Sequence, residues 1–409
     1  MAPGVVTAPV AATERMDVLD VLRGVAVLGI LLVNVDSFIG YGLAAAPATP
    51  PRGARWDDLA EFLIEFLVQG KFYCLFSFLF GVGFFVFIQR ASARGVNAVR
   101  LFKRRLCGLL AIGLIHSILI WYGDILTTYA VIGFGLIPFL RRDDRAVLRA
   151  AILWLASPVA FYLILLVAAK LLPAAPAAPA ESSGGGDLPP FLASAVRGFA
   201  HGNYADVVKS NVAFTIANVV RRFVLMFFPR VFGMFLLGFY AGRANVFAHL
   251  DANAPLFRKI CAYGLAIGLP LAFVGAALGD SGSPRLPTWT GLLEMAVESI
   301  ATPVLALAYG SAVCLAFRRF RRVALALAPA GRMALTNYLT HSVVGVAIFY
   351  GLGGGYYGRV SLTAALIGCV LFFAVQLLVS RLWLSVALFG PAEWLWRTFT
   401  YRKRFAVLR

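Results

Sequence analysis

The chain has 409 residues, of which 61% are hydrophobic and only 14% charged, and its mean hydropathy is +0.83. That balance excludes a soluble globular protein and points to a polytopic membrane protein, an all-α helix bundle. The net charge of +18 raises the question of a nucleic-acid partner, and the placement of the basic residues in loops argues against one.

Hydropathy marks about ten stretches long enough to cross a bilayer: 18–41, 70–89, 106–123, 125–140, 148–171, 223–242, 260–279, 289–317, 333–352 and 361–389. Residues 1–14 are rich in Ala, Pro and Val without a basic cluster, so no cleavable signal is expected and the first stretch should remain as a helix. Most Lys and Arg fall in the loops on the N-terminal side, which orients the chain with both ends in the cytosol and its basic loops against anionic membrane lipids. The expected organisation is a five-helix membrane half over 1–171, an extracytoplasmic linker with interfacial helices over 172–220, and a second five-helix half with a basic cytosolic tail over 221–409.

The first stretch carries Asp20, Arg23 and Asn34. At about 100° and 1.5 Å per residue they fall within roughly 60° of one another, spread over about 21 Å. Ionisable residues inside a membrane helix suggest a substrate site, whereas an i,i+3 pair with Arg23 snorkelling to lipid phosphates is the structural reading. Residues 56–67 have the period of a short amphipathic helix, expected at the outer interface. The Phe/Gly run that begins at Lys71 has small residues that permit close helix approach.

In the third stretch His116 lies about eleven residues beyond Arg105, and in the ninth His341 lies about nine beyond Arg332. Both are therefore roughly 14 to 17 Å deep, near the midplane, where two histidines could share a cavity. Histidine suits proton abstraction near neutral pH. Asp124 follows His116 by eight residues, about 12 Å along a straight helix, so contact between them is not expected. With Trp121 and Tyr122 it is read as an acceptor-side group, or as the N-cap of the next helix.

Residues 172–186 have the composition of a flexible Pro/Gly/Ser linker, and 188–219 read as one or two surface helices, either a lid or a spacer. Glu294 and Glu298 share one helix face, and Arg230 is their expected partner in a structural ion pair. Cysteines 74, 107, 261, 314 and 369 never approach a Cys-x-x-Cys spacing and read as packing residues. No Walker motif, no dinucleotide Gly-x-Gly-x-x-Gly after a strand, no His-Glu-x-x-His and no Gly-x-Ser-x-Gly occurs, so neither a bound nucleotide as energy source nor a classical metal site is expected.

Leu19-Asp-x-Leu-Arg-Gly24 with Gly29-Ile-Leu-Leu-Val-Asn34 resembles the first helix of the YeiB family of bacterial inner-membrane proteins. Further blocks resemble that family: Lys71-Phe-x3-Phe-Ser-x-Leu-Phe-Gly81, His116-x5-Tyr-Gly-Asp-Ile-Leu126, Gly331-Arg-Met-Ala-Leu-Thr-Asn-Tyr338 and Gly390-Pro-x-Glu-Trp-Leu-Trp-Arg397. The YeiB family is in turn similar to the transmembrane acyltransferases that include heparan-alpha-glucosaminide N-acetyltransferase. The resemblance implies transfer of an acyl group from cytosolic acyl-CoA, as co-substrate, to an acceptor at the outer face: a glycan, lipid or small metabolite. It does not designate the catalytic histidine, and His116 is chosen by position.

In that reading His116 and Asp124 are the catalytic candidates. Asp20, Arg23, Asn34, Lys71, Arg104, Arg105, Trp121, Asn337 and His341 bind substrates, with Arg23, Arg104 and Arg105 on the CoA phosphates. A transporter or exporter of a small metabolite would use the same intramembrane polar residues. A membrane scaffold or sensor would need them only structurally, and assembly as a homo-oligomer is open.

Overall fold

A computed structural model describes residues 16–41, 55–171, 190–224, 227–278 and 287–409. Within them the protein is an all-α membrane bundle whose only extended pairing is the isolated bridge between Ala387 and Leu408. In chain order the helices are α1 (Asp17–Ile39), α2 (Arg55–Leu67), α3 (Lys71–Ala93), α4 (Ala98–Ile115), α5 (Leu126–Gly133) and α6 (Asp144–Leu171). They continue as α7 (Pro190–His201), α8 (Tyr204–Val224), α9 (Phe227–Arg243), α10 (Ala254–Leu278) and α11 (Trp289–Arg319). The C-terminal part holds α12 (Arg321–Ala324), α13 (Ala328–Arg332), α14 (Ala334–Phe349), α15 (Leu362–Val386) and α16 (Pro391–Tyr401). The Pro/Gly/Ser linker over 172–186 lies outside the described residues.

Among the described residues six helices are long and apolar enough to cross a membrane, seven if α8 and α9 form one bent span. Three further stretches that hydropathy alone marks as crossings, 106–123, 125–140 and 333–352, are built from shorter pieces: α4 with a π-helical turn, Leu126–Arg141, and α14. These broken pieces, with the turn between the first two, carry the polar residues His116, Asp124 and Ser342, all buried. Interrupted backbone at membrane depth is tolerated only where protein surrounds it, and it commonly marks a site.

Helices from the two halves of the sequence interleave. α1 packs against α13, α14 and α15, and α3 against α9 and α11. One apolar core joins Val18, Leu75, Met234, Ala306 and Cys314, and a second joins Phe84, Leu106, Tyr129, Phe235 and Leu335. The predicted ion pair forms: Arg230 Nη1 donates to Glu298 at 2.6 Å and to the Tyr73 hydroxyl at 3.1 Å. The described part of 188–219 forms α7 and α8, and α8 packs across the π-helical turn after α4.

Basic side chains gather at the end of the bundle that holds the start of α1 and the loops after α3, α9 and α11; we call it the basic end. At the opposite end Phe38, Trp121, Tyr122, Phe199, Tyr350 and Tyr357 form a buried aromatic cluster.

Candidate functional site

α4 does not run straight into its turn. At His116 the backbone widens into a π-helical turn, His116–Ile120, closed by the Trp121 N–H on the His116 carbonyl at 2.8 Å. Trp121 is then extended, with φ −157° and ψ 128°, and the chain doubles back. A Cβ on Gly123 would run into the Trp121 ring, so glycine there lets the indole fold over the turn.

This reversal corrects the expectation that eight residues keep His116 and Asp124 apart. His116 Nδ1 lies 2.9 Å from Asp124 Oδ1. The straight-helix distance fails because the helix ends one turn after His116. Asp124 also caps α5: Oδ1 accepts the Leu126 N–H at 3.1 Å and Oδ2 the Thr127 N–H at 2.7 Å.

The other ring nitrogen, Nε2, lies 2.8 Å from Ser342 Oγ on α14. Since the carboxylate already accepts two backbone N–H bonds, it is the acceptor toward Nδ1 as well. The imidazole proton therefore sits on Nδ1, and Nε2 accepts from the Ser342 hydroxyl. Ser342, His116 and Asp124 thus form a hydrogen-bonded relay in the order of a serine–histidine–aspartate triad, an arrangement recognised by geometry and not by sequence position. His116 and Ser342 have no solvent exposure, and Asp124 has 3%.

A cavity of about 320 Å³ leads toward this relay from the basic end. On α1 its wall runs from Met16 to Ile30, about 21 Å of helix. Arg23, Arg90, Arg94, Arg105, Arg332 and Arg397 ring the mouth, against two carboxylates, Asp20 and Glu393. Further in, the wall is Phe76, Phe80, Leu109 and Leu126, and the inner end is closed by Ile125, Tyr129 and Tyr338. The Tyr338 ring stands 5.3 Å from the His116 ring, and its hydroxyl accepts the Ile125 N–H at 3.3 Å. Leu335, Tyr338 and Ser342 form one stripe of α14, so the face that lines the cavity continues to the relay.

The remaining predicted residues separate into groups. Asp20 and Arg23 pair at 2.8 Å on the cavity wall, and Arg105 lines the same cavity while stacking 3.7 Å over Trp396. Trp121 packs on Phe38 with its ring 6.2 Å from that of His116. His341 does not share a cavity with His116: its Nε2 bonds Gln376 Oε1 of α15 at 2.7 Å. Neighbouring residues on a helix point about 100° apart, so Ser342 facing His116 turns His341 toward α15. Asn337 belongs to the same seam, donating to Ser380 Oγ at 3.1 Å and the Ala330 carbonyl at 3.2 Å. Lys71 donates to the Glu65 carbonyl at 2.6 Å. Neither Lys71, Asn34 nor Arg104 lines the central cavity.

Three residues were not singled out from sequence. Ser342 is half of the His341-Ser342 dipeptide that echoes His116-Ser117, and Tyr338 ends the Gly331–Tyr338 block, so each left a faint signal. Arg222, which donates to the Asp124 carbonyl at 2.6 Å and to Thr128 Oγ1 at 3.2 Å, left none beyond its charge. α8 also satisfies the carbonyls orphaned where the helix breaks: Thr215 donates to Ser117, Asn211 to Ile118 and Tyr204 to Leu119, at 3.4, 3.2 and 3.1 Å.

Residues 241–403 match the family described as a protein of unknown function, DUF418. The chain is 32% identical over 413 residues to the uncharacterised protein YxaH of Bacillus subtilis (strain 168), covering 96% of each. It is 28% identical over 400 residues to an uncharacterised 39.9 kDa protein in the amylase 3' region of Bacillus acidopullulyticus, covering 98% of each. No solved structure matches the chain. To the uncharacterised protein YeiB of Escherichia coli (strain K12) it is 30% identical over 408 residues, 95% of this chain and 97% of that one, and it therefore belongs to the YeiB family.

Proposed function

We propose that the protein is an inner-membrane acyltransferase that takes its acyl group from acyl-CoA at the basic, cytosolic end and passes it to an acceptor arriving from the other side. The observation that carries this reading is the placement of His116 between Asp124 and Ser342, directly behind the Tyr338 ring that closes the inner end of a cavity whose mouth is ringed by arginines.

The charge and polarity of the cavity suit the donor. A cationic rim suits the CoA phosphates, and the apolar wall beyond it suits the arm that carries the thioester. Ser342 Oγ attacks the thioester carbonyl while His116 Nε2 takes the serine proton. The C–S bond breaks and the proton passes from His116 to the departing thiolate, leaving acyl-Ser342 and free CoA. An acceptor hydroxyl or amine then attacks the acyl-serine, giving its proton to His116, which returns it to Ser342. Asp124 holds the imidazole in the required tautomer throughout and stabilises its charged form.

The aromatic cluster beside Trp121 supports acceptor entry at the opposite end. Trp121 Nε1 and the hydroxyls of Tyr350 and Tyr357 are buried there with no protein partner among the described residues. Buried polar groups are ordinarily satisfied, and an acceptor bearing hydroxyls would satisfy these three.

Purified protein in nanodiscs, mixed with acyl-CoA and no acceptor, is expected to release about one CoA per active chain and to gain the acyl mass on the peptide containing Ser342. Ser342→Ala should lose both. Absence of binding, burst and adduct in wild type, with substrate flux in proteoliposomes that survives His116→Ala, would sink the proposal. Flux that depends on His116 without covalent change would favour a transporter.

A further inference from the structure

Arg104 and Arg105 are neighbours on α4 and serve different cavities. Arg105 lines the central cavity, while Arg104 turns into a second one of about 370 Å³ at the same end of the bundle. Its other lining residues are Thr398 and Phe399 of α16 with Arg402, Lys403 and Arg404 just beyond it. Four cations therefore converge from two elements, and no carboxylate lines the space. Converging like charges repel one another unless an anion sits between them.

The arrangement is built into the fold. Arg402 adopts the left-handed conformation, φ 52° and ψ 34°, which ends α16 and turns Lys403 and Arg404 back toward α4. Left-handed backbone at a non-glycine residue is uncommon and marks a position fixed by its surroundings. α16 itself is clamped on α4, with the Trp396 indole N–H donating to the Arg105 carbonyl at 2.7 Å. Gly108 provides the room, since a Cβ there would press on the rings of Phe399 and Trp396. Thr398 Oγ1 is buried with no partner among the described residues. Leu395 and Phe399, one turn apart, leave an apolar face exposed beside the cavity, at 56% and 52%.

We infer that the cavity between α4 and α16 binds the phosphate headgroup of an anionic phospholipid. The cations take the phosphate, and the acyl chains lie along the apolar face of Leu395 and Phe399. A free phosphate compound would use the same cations but has no need of that face. The site is separate from the Ser342–His116–Asp124 relay and does not depend on what the relay does.

The test uses the full-length protein in zwitterionic phosphatidylcholine nanodiscs doped with phosphatidylglycerol, with bound lipid counted by native mass spectrometry. Arg104→Gln with Lys403→Gln is expected to weaken phosphatidylglycerol retention about tenfold or more, at roughly one kcal/mol per basic residue near the surface. Arg141→Gln with Arg145→Gln, two exposed cations elsewhere, should leave retention at the wild-type level. Equal loss in both double variants, or none in the first, overturns the site. Leu395→Ser with Phe399→Ser should weaken lipid retention as well. If it does not, and inorganic phosphate or ATP displaces the lipid at matched concentration, the occupant is a free phosphate compound and the lipid assignment is overturned. Thermal unfolding of each variant establishes that it is folded before retention is compared.

Discussion

Tyr338 and Ser342 stand one helical turn apart on α14, the first closing the inner end of the central cavity and the second bonded to His116 at 2.8 Å. A single helix face thus joins a basic-mouthed cavity to a buried relay, and the Tyr338 ring is the partition between them. Anything entering from the basic end must displace that ring before it meets Ser342.

Replacing one member of the relay separates its roles. Asp124→Asn keeps the shape but turns a pure acceptor into a group with its own donors, which disfavours the tautomer with the proton on Nδ1. Turnover is expected to fall by about 10²- to 10⁴-fold, with a smaller change in KM. Asp124→Ala should in addition lower stability by about 0.5–2 kcal/mol, because the first turn of α5 loses its cap. Steady-state kinetics with thermal unfolding of the same preparations checks both.

The partition is expected to be tunable. Tyr338→Phe removes the acceptor for the Ile125 N–H, at a cost of about 0.5–1.5 kcal/mol, while the ring still closes the cavity. Tyr338→Ala removes the ring and should make His116 reactive toward diethylpyrocarbonate, which modifies exposed histidine. Peptide mapping reads it out: His116 is expected to be protected in wild type and Tyr338→Phe and labelled in Tyr338→Ala.

The long helices were legible because burial in lipid leaves hydropathy little freedom, and α1, α6, α10, α11 and α15 fall where the apolar runs are. α2, α7 and α8 were legible as helices from period and composition. What sequence could not give was the point where α4 breaks. Spacing along an ideal helix put His116 and Asp124 about 12 Å apart, and only the π-helical turn with extended Trp121 brings them to 2.9 Å. Ser342 was hidden for a related reason. His341 is the rarer residue type of the pair, yet the rotation of α14 is fixed by the seam to Gln376 and Ser380, and that rotation presents the serine.

The cover over the broken helix should be costly to remove. Asn211 is wholly buried and donates to the Ile118 carbonyl, and Thr215 donates to that of Ser117. Asn211→Ala leaves the Ile118 carbonyl without this donor, which costs about 0.5–1.5 kcal/mol, and the N–H groups of the π-helical turn should exchange faster. Hydrogen exchange over 114–121 is expected to rise in Asn211→Ala while the peptides of α11 stay unchanged. Equal exchange in both regions would mean that α8 does not protect the turn.

Glu393 ties the last helix to the one that carries Ser342. Its carboxylate oxygen Oε1 accepts the N–H groups of Leu335 and Thr336, at 2.7 and 3.1 Å, and the Thr336 hydroxyl donates to Oε2. α16 lies beyond the last long spanning helix, α15. Burial pushes the Glu393 carboxyl above its ordinary value of 4.5, more than these hydrogen bonds lower it. The folded state therefore binds this proton more tightly than the unfolded chain does. The stabilisation it contributes is complete below the ordinary carboxyl value and is lost as pH rises through the raised one. Docking of α16 should accordingly be tighter at acid pH, with limited proteolysis of the tail accelerating as pH rises across that window. Glu393→Gln keeps an acceptor for the two N–H groups and cannot ionise, so its proteolysis should lose this pH dependence. A slope that persists in Glu393→Gln would place the titrating group elsewhere.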